Sequence, residues 1–463
     1  MSGLRARSLD ALRGYAIVTM VLSSTIFSNV LPGWMSHVQC PPPNHVFNPD
    51  IAGISWVDLV FPFFLFAMGA AMPFSVGGKI ERGENKWFLS FKALLRGLKL
   101  AFFAIFIQHM YPTQHASLGT MCMWLRPVSA FVALFLIFGR YHVRLKPWVQ
   151  YTLETTGLIL ALVLLYFASD FYERTFSLER SNIIILVLAN MSFFATVIYI
   201  ATHKCPVWCR LIVMPFVIAI LLHGDNGWQK WLFQATPAPW LYKFVFLKYL
   251  CIVLPGTVAG DFLKQNIRSR EHATHTVKWH KIVMLLLSLA IIVGNLYGLY
   301  TRELTANLIF TIVVIASAAV MAWYKDGNML WKQLMVMGGI FLILGLFVEP
   351  FEGGIKKDPS TVSYYLVTVG LACYALIAFD VTCSSRISGL VMKPLEMAGQ
   401  NPMLAYVTTA LIVNPTIQLM RLHDVLEYMQ TDPVLGFLRG VIVTSFTLMI
   451  AMLFTRIKWF WRT

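Results

Sequence analysis

Fourteen apolar runs recur along this 463-residue chain, near 14–32, 58–77, 91–110, 123–139, 154–169, 183–201, 208–223, 241–262, 281–300, 304–323, 331–348, 362–381, 397–416 and 435–455. A helix crosses a bilayer with about 20 mostly apolar residues. In lipid the backbone must satisfy its own hydrogen bonds, so such runs fold as helices. The pattern predicts an all-α, polytopic integral membrane bundle of about 12–14 transmembrane helices, one domain over residues 1–463. The lower count treats the short runs 154–169 and 208–223 as tilted or re-entrant. The largest polar gaps hold only about 25 residues, so any chemistry belongs to the bundle or its two mouths.

Composition agrees. The chain is 58% hydrophobic and 13% charged, where a soluble chain is about a quarter charged. That excludes a disordered chain, an ordinary soluble enzyme and a secreted disulfide scaffold. The net charge of +15 would raise nucleic acid as a partner in a soluble protein. Here it is a topology signal. With the N-terminus cytoplasmic and the runs alternating, inner segments carry 24 basic residues and outer segments seven. Lys and Arg collect on the cytoplasmic side of membrane proteins, so both termini are expected there and no nucleic acid is needed. The basic start MSGLRARSLDALRG leads into an apolar run without a small-x-small cleavage site, which predicts a retained helix. The seven Cys are scattered and read as helix filler, and Cys205 and Cys209 lack further ligands for a zinc site.

The first outer loop, PGWMSHVQCPPPNHVFNPDIAGISWVDLVFPFF, has no Lys or Arg, but holds His37, His45, Asn48, Asp50 and then Asp58. Pro41, Pro42 and Pro43 stiffen the approach to His45 through their fixed φ. Such a rigid approach holds an imidazole in place, and an incidental surface His fits the same residues. Asp58 opens a long apolar run, where a carboxylate is costly unless paired or hydrogen-bonded. It either caps the helix or orients an imidazole. A His beside a carboxylate is a candidate general base or acyl carrier. No G-x-S-x-G or H-E-x-x-H motif is present. His272, His275 and His280 lie in the basic inner loop with only Glu271 beside them, and no metal site is expected.

On the inner side, Asp10 and Arg13 stand three apart just before the first run, and Arg96 and Lys99 stand on the inner part of the third. Together they form a positive mouth suited to a phosphate-bearing molecule, or the ordinary product of positive-inside bias. Lys356 and Lys357 are bases on the side that should be poor in them, so they are expected to pair with Glu349, Glu352 or Asp358, or to hold an anionic group. Gly399, Gln400, Asn401 and Pro402 mark a turn or helix start that can leave polar backbone facing a cavity.

These segments carry a resemblance. SLDALRG (8–14), the outer-loop His before GISWVDLVFPFFLFAMG (53–69), TVAGD (257–261), KKDPSTVSYYLVTVG (356–370) and AGQNPMLAY (398–406) fall in the order found in the heparan-alpha-glucosaminide N-acetyltransferase-like family of transmembrane acyltransferases, in its bacterial branch. The chain resembles that family over nearly its whole length. The DLVFPFFLF block is fairly specific, and the LDALRG block is shared with other membrane acyltransferases.

The resemblance implies that acetyl-CoA binds from the cytoplasm and that its acetyl group reaches an amino sugar or glycan acceptor on the far side of the membrane. The family's essential His stands in the outer loop before Asp-Leu-Val-Phe-Pro. That place is filled here by His45, with His37 as the alternative and Asp58 as the carboxylate. Arg13, Arg96, Lys99 and Asn401 are the expected acetyl-CoA contacts, and Asn48, Lys356 and Lys357 the expected acceptor contacts. His45 stands thirteen residues before Asp58, and the Trp-Asn-Gly that usually follows the His is replaced by Phe47-Asn48-Pro49 and a later Gly53. Direct transfer is preferred over a carried acyl group, since an imidazole and a carboxylate suffice. Membrane lipid is the expected surround, a bacterial inner membrane the expected location, and a homodimer an expectation without a patch to argue it. An O-acyltransferase of surface polysaccharide or lipid, a multispan transporter or flippase, and a non-enzymatic scaffold are the rival classes.

Overall fold

A computed structural model describes residues 6–111, 121–141, 146–171, 176–222, 227–269, 278–324, 328–384 and 388–462. The chain is a bundle of helices with one two-residue strand pair, Gly139–Arg140 against Phe460–Trp461. The helices that matter below are α1 (Arg7–Thr25), α2 (Trp56–Ala70), α3 (Lys86–Met110), α4 (Met121–Phe138), α5 (Pro147–Phe171), α6 (Ile183–Ala201), α7 (Val213–Leu222), α8 (Leu250–Ser269), α9 (Lys278–Thr301), α10 (Leu304–Trp323), α11 (Met329–Val348), α12 (Val362–Cys383), α13 (Ser388–Gln400), α14 (Pro402–Thr408) and α15 (Pro433–Arg456).

Among the described residues nine helices are long and apolar enough to cross a membrane, and Met123–Phe138 and Val207–Leu221 are shorter apolar helices. The first run is displaced from its expected place. Its helix begins at Arg7, not near residue 14, and ends at Thr25, so Arg7, Asp10 and Arg13 lie in its first turns. Helix α3 likewise carries Lys86, Lys92, Arg96 and Lys99 on its inner half. These charges keep α1 and α3 from reading as plain lipid spans. The thirteenth run begins as α14 after Asn401 and continues through a π turn at Thr409–Val413 into Asn414–Leu419.

Helix α12 is the centre: 89% of its apolar window is buried, against 11% for α5 and 22% for α10, whose apolar faces are left for lipid. Helices α9 and α10 are joined by buried amides. Asn295 Nδ2 donates to Thr311 Oγ1 at 3.0 Å and Asn307 Nδ2 to Asn295 Oδ1 at 3.2 Å. Such bonds join helices where apolar contact alone gives no preference over lipid.

Contacts between distant loops follow the alternation read from the charges. Glu81 pairs with Lys264 at 2.9 Å and Arg268 at 2.7 Å, all assigned to the inner side. Arg7 pairs with Glu396 at 2.9 Å, also inside. Gln39 and Asp358, and Arg302 and Glu349, meet outside.

Helix α13 lies along the inner half of α1 at backbone distance. A Cβ on Gly14 would stand 1.8 Å from the Leu395 carbonyl oxygen, and one on Gly399 would stand 1.9 Å from that of Asp10. Only glycine permits this approach. The contact fixes where α1 presents Arg13.

Candidate active site

Asp58 performs both duties that the sequence left open. Ser55 is the N-cap of α2, and its backbone N–H donates to Asp58 Oδ2 at 3.0 Å, closing a capping box. Val38 N–H reaches the same oxygen at 3.4 Å. The other oxygen, Oδ1, lies 2.8 Å from His37 Nδ1 and 3.6 Å from Lys357 Nζ. The carboxylate is buried, as a paired charge at that depth must be. Tyr364 of α12 donates to the Asp58 carbonyl at 2.8 Å and ties the α2 start to the bundle centre.

The imidazole beside Asp58 is therefore His37 and not His45, the one the expectation favoured. The turn after Pro41 carries His45 back onto its own loop. Its backbone N–H donates to the Pro41 carbonyl at 3.0 Å, and its Nδ1 to the Cys40 carbonyl at 2.9 Å. The proline-stiffened approach holds His45, but holds it away from Asp58. His45 also takes a positive φ of 48°. Asn48 is spent in the same loop, accepting from Asp50 N–H at 2.9 Å through Oδ1.

Lys357 Nζ lies 3.0 Å from His37 Nδ1. A carboxylate only accepts and an ammonium only donates. With Nδ1–H given to Asp58, Lys357 is the cation beside the carboxylate, and Nε2 is the ring nitrogen left for chemistry. Lys357 thus does not pair with Glu349, Glu352 or Asp358. Glu349 takes Arg302, and Glu352 caps α12 by accepting from Val362 N–H and Ser363 N–H, each at 2.8 Å. Gln39 clamps the Asp358 backbone, accepting its N–H at 2.9 Å and donating to its carbonyl, and so holds Lys357 over the His37 loop. For Lys356 the contacts are backbone ones, with N–H donated to Thr361 Oγ1 at 3.0 Å.

His37 opens into an outer cavity of about 970 Å³. The expected acceptor contacts Asn48, Lys356 and Lys357 are not among its lining residues. Its polar lining comes instead from Tyr406, Asn414, Gln418, His423 and Glu427, with Arg439 of α15. The signal for these residues was present in the sequence: Tyr406, Ala410, Asn414 and Gln418 recur every fourth residue and share one helix face. Two of the lining residues, His423 and Glu427, have ligand atoms within 4.8 Å of those of neighbouring Asp424, but His423 pairs with both acids and all three are at least partly exposed.

A second cavity, of about 590 Å³, enters from the inner side. Three guanidinium-bearing residues line it, Arg13, Arg96 and Arg462, with one carboxylate, Asp10. Arg13 is anchored, donating to the Gly399 carbonyl at 3.2 Å and lying 3.9 Å from Asp10. Among the described residues Arg96 has no hydrogen-bond or ion-pair partner, and like-signed Arg13 acts on it across the cavity. This excess of positive charge fits the phosphates of a nucleotide thioester. Two expected contacts do not belong to the cavity wall. Lys99 is exposed elsewhere on α3. Asn401 is buried and spent on the C-terminal strand, donating to the Trp459 carbonyl at 2.9 Å and accepting from Trp461 N–H at 3.0 Å. It acts at one remove, by holding Trp461 and Arg462 against the cavity. His272 and His275 lie outside the described residues, and His280 is buried and stacks on Trp279 with ring centroids 3.9 Å apart.

Outside the spans, burial pushes the Cys40 thiol above its ordinary range, with Lys357 opposing and Asp58 adding to the shift.

Fold and site together define a polytopic helical membrane protein with a cationic inner cavity and a His–Asp pair at an outer one. The chain belongs to the family described as domain of unknown function DUF5009, whose sequence profile matches residues 5–263. That stretch holds Arg13, His37, Asp58 and Arg96; Lys357 and α14 lie beyond it. No curated protein matches the chain.

Proposed function

We propose that the chain is an acetyl-CoA-dependent transmembrane acyltransferase, moving an acetyl group from the cytoplasm to an amino sugar or related glycan on the extracytoplasmic side of a bacterial inner membrane. The observation that carries this reading is the pairing of two cavities of opposite chemistry on opposite sides of one bundle. The inner one offers three guanidinium groups against one carboxylate to phosphates; the outer one offers an imidazole held by a carboxylate. A transporter has no need of that pair, although the break before α14 suits one.

In the transfer the acceptor amine attacks the thioester carbonyl. The C–N bond forms, the C–S bond breaks, and the sulfur leaves with the electron pair. His37 Nε2 takes the amine proton while Nδ1–H stays on Asp58, and such general-base help is worth about 10²–10⁴-fold. Lys357 Nζ faces the same carboxylate oxygen at 3.6 Å. Asn414, Gln418 and Glu427 suit a hydroxylated ring, and Trp124, which also lines the cavity, offers it a flat apolar face. The same geometry serves a hydroxyl acceptor, so O-acylation of a surface polysaccharide or lipid is the second reading.

Substituting His37→Ala and His45→Ala one at a time tests this, with membrane protein level and acetyl-CoA-dependent acetylation of glucosamine both measured. Product is expected to vanish with His37→Ala at normal protein level and to persist with His45→Ala. Normal product from His37→Ala removes the mechanism, and transport of the sugar without acetylation replaces it with the rival.

A further inference from the structure

One helix face runs through both cavities. Pro402 and Met403 of α14 line the inner cavity, and Tyr406, on the next turn of the same helix, lines the outer one. At a rise of 1.5 Å per residue, Met403 and Tyr406 are separated by about 4.5 Å along the axis. Across from them on α6, Leu188 lines the inner cavity and Ile184 the outer one, about 6 Å apart by the same rise. On α1 the two linings are further apart: the inner one ends at Arg13 and the outer begins at Met20. The partition is thus about one helical turn thick on the α14–α6 side.

Tyr406 is held across this gap. Its hydroxyl accepts from Asn182 Nδ2 at 3.3 Å, at the start of α6, and Tyr111, at the end of α3, lines the same outer cavity. Three helices therefore come together around this phenol. Directly after it comes the π turn Thr409–Val413. π turns cluster at functional sites because they let a helix change register locally. Thr409, the first residue of that turn, lies 2.9 Å from Thr447 of α15 through their hydroxyls.

We propose that Tyr406, backed by Met403, is the septum between the two cavities, and that its side chain gates the single place where a narrow acyl thioester crosses the bundle. This rests on the acyltransferase reading for the identity of what crosses, but the septum itself does not. The hydrogen bond from Asn182 holds the ring shut, and the adjoining π turn supplies the slack for it to swing. Tyr406 is a positioning residue here, not one that takes part in bond making.

The test is sidedness of thiol modification in sealed vesicles of either orientation. The full chain is used, with its native cysteines replaced by Ser or Ala and one new cysteine added. Ser24→Cys reports the outer cavity and Ser75→Cys the inner, both being exposed cavity-lining positions. The probe is a membrane-impermeant sulfonatoethyl methanethiosulfonate. In the parent, Ser24→Cys is expected to react only from outside and Ser75→Cys only from inside. Adding Tyr406→Ala is expected to abolish that sidedness for Ser24→Cys, while Tyr406→Phe retains it. Met403→Ala serves as a second opening where Tyr406→Ala lowers protein level. Unchanged sidedness in both alanine variants, with outer reactivity of Ser24→Cys at the parental rate, overturns the proposal. So does a parent whose Ser24→Cys reacts from both sides. Loss of sidedness in a protein that makes no acetylated product upholds the septum and rejects acyl transfer instead.

Discussion

Replacing Asp58 by Asn separates the two duties of its two oxygens. Oδ2 accepts the Ser55 N–H at 3.0 Å, and an amide oxygen can keep that bond, so the start of α2 stays capped. Oδ1 faces His37 Nδ1 at 2.8 Å. There an amide presents N–H to N–H, two donors with nothing between them, and His37 must either turn away or move its proton to Nε2. That tautomer cannot accept a proton from an amine. Lys357 also loses the carboxylate it faces at 3.6 Å. A hydrogen bond to a charged group contributes about 1.5–3 kcal/mol. At 1.36 kcal/mol per decade, its loss in the transition state slows the reaction by about one to two decades. Asp58→Asn is therefore expected to lower kcat about 10- to 100-fold, with KM for both substrates near parental and the protein at normal level. The assay is acetyl transfer to glucosamine by purified, reconstituted protein, normalised to folded protein. A parental kcat in Asp58→Asn refutes the orienting role and leaves Asp58 as a cap alone.

Other outcomes follow from the same geometry. Arg96→Ala removes a guanidinium with no ion-pair partner among the described residues, so KM for acetyl-CoA is expected to rise about tenfold or more at low salt, and less at high salt; an unchanged KM places the phosphates elsewhere. Cys40 is expected to react with an impermeant maleimide from outside and Cys205 from inside. Because burial raises the Cys40 thiol's pKa, less of it is thiolate at a given pH, so its labelling should climb only at pH values above those for a free thiol; labelling of Cys40 from inside contradicts the topology. Gly399→Val forces side-chain atoms onto the α1 backbone, where even a Cβ stands 1.9 Å from the Asp10 oxygen. An overpacking cost of about 1–3 kcal/mol or more should appear as a lower unfolding temperature, and an unchanged one denies the close α1–α13 contact.

Much of the fold was legible because lipid imposes so simple a code. Apolar length marks the helices, and the Lys and Arg bias predicts their direction. Pairs such as Glu81 with Lys264 and Arg7 with Glu396 then join segments on the same side. The start of α1 was misplaced because hydropathy weighs Arg7, Asp10 and Arg13 as ends of a span, whereas contact with α13 and the Glu396 carboxylate keeps them helical. The site was half legible. Asp58 stood out as a carboxylate in an apolar run, and Lys357 as a base on the wrong side, yet their meeting at His37 depends on the Gln39–Asp358 clamp between loops some 320 residues apart, which spacing cannot reveal. The three prolines pointed to His45 because stiffness was read as presentation, while the turn they make folds His45 onto Cys40. The stripe Tyr406, Ala410, Asn414 and Gln418 was readable as a helix face but not as a cavity wall, since its partners come from α1, α3, α6 and α15.

The vectorial reaction is the most direct test. Reconstituted vesicles would be sealed with acetyl-labelled CoA thioester on the cytoplasmic face of the protein and glucosamine only on the outer face. Labelled N-acetylglucosamine is expected to accumulate on the outer side, and to disappear with His37→Ala. Product that forms only after the vesicles are broken, or none at all from protein with intact His37, would contradict acyl transfer across the bundle.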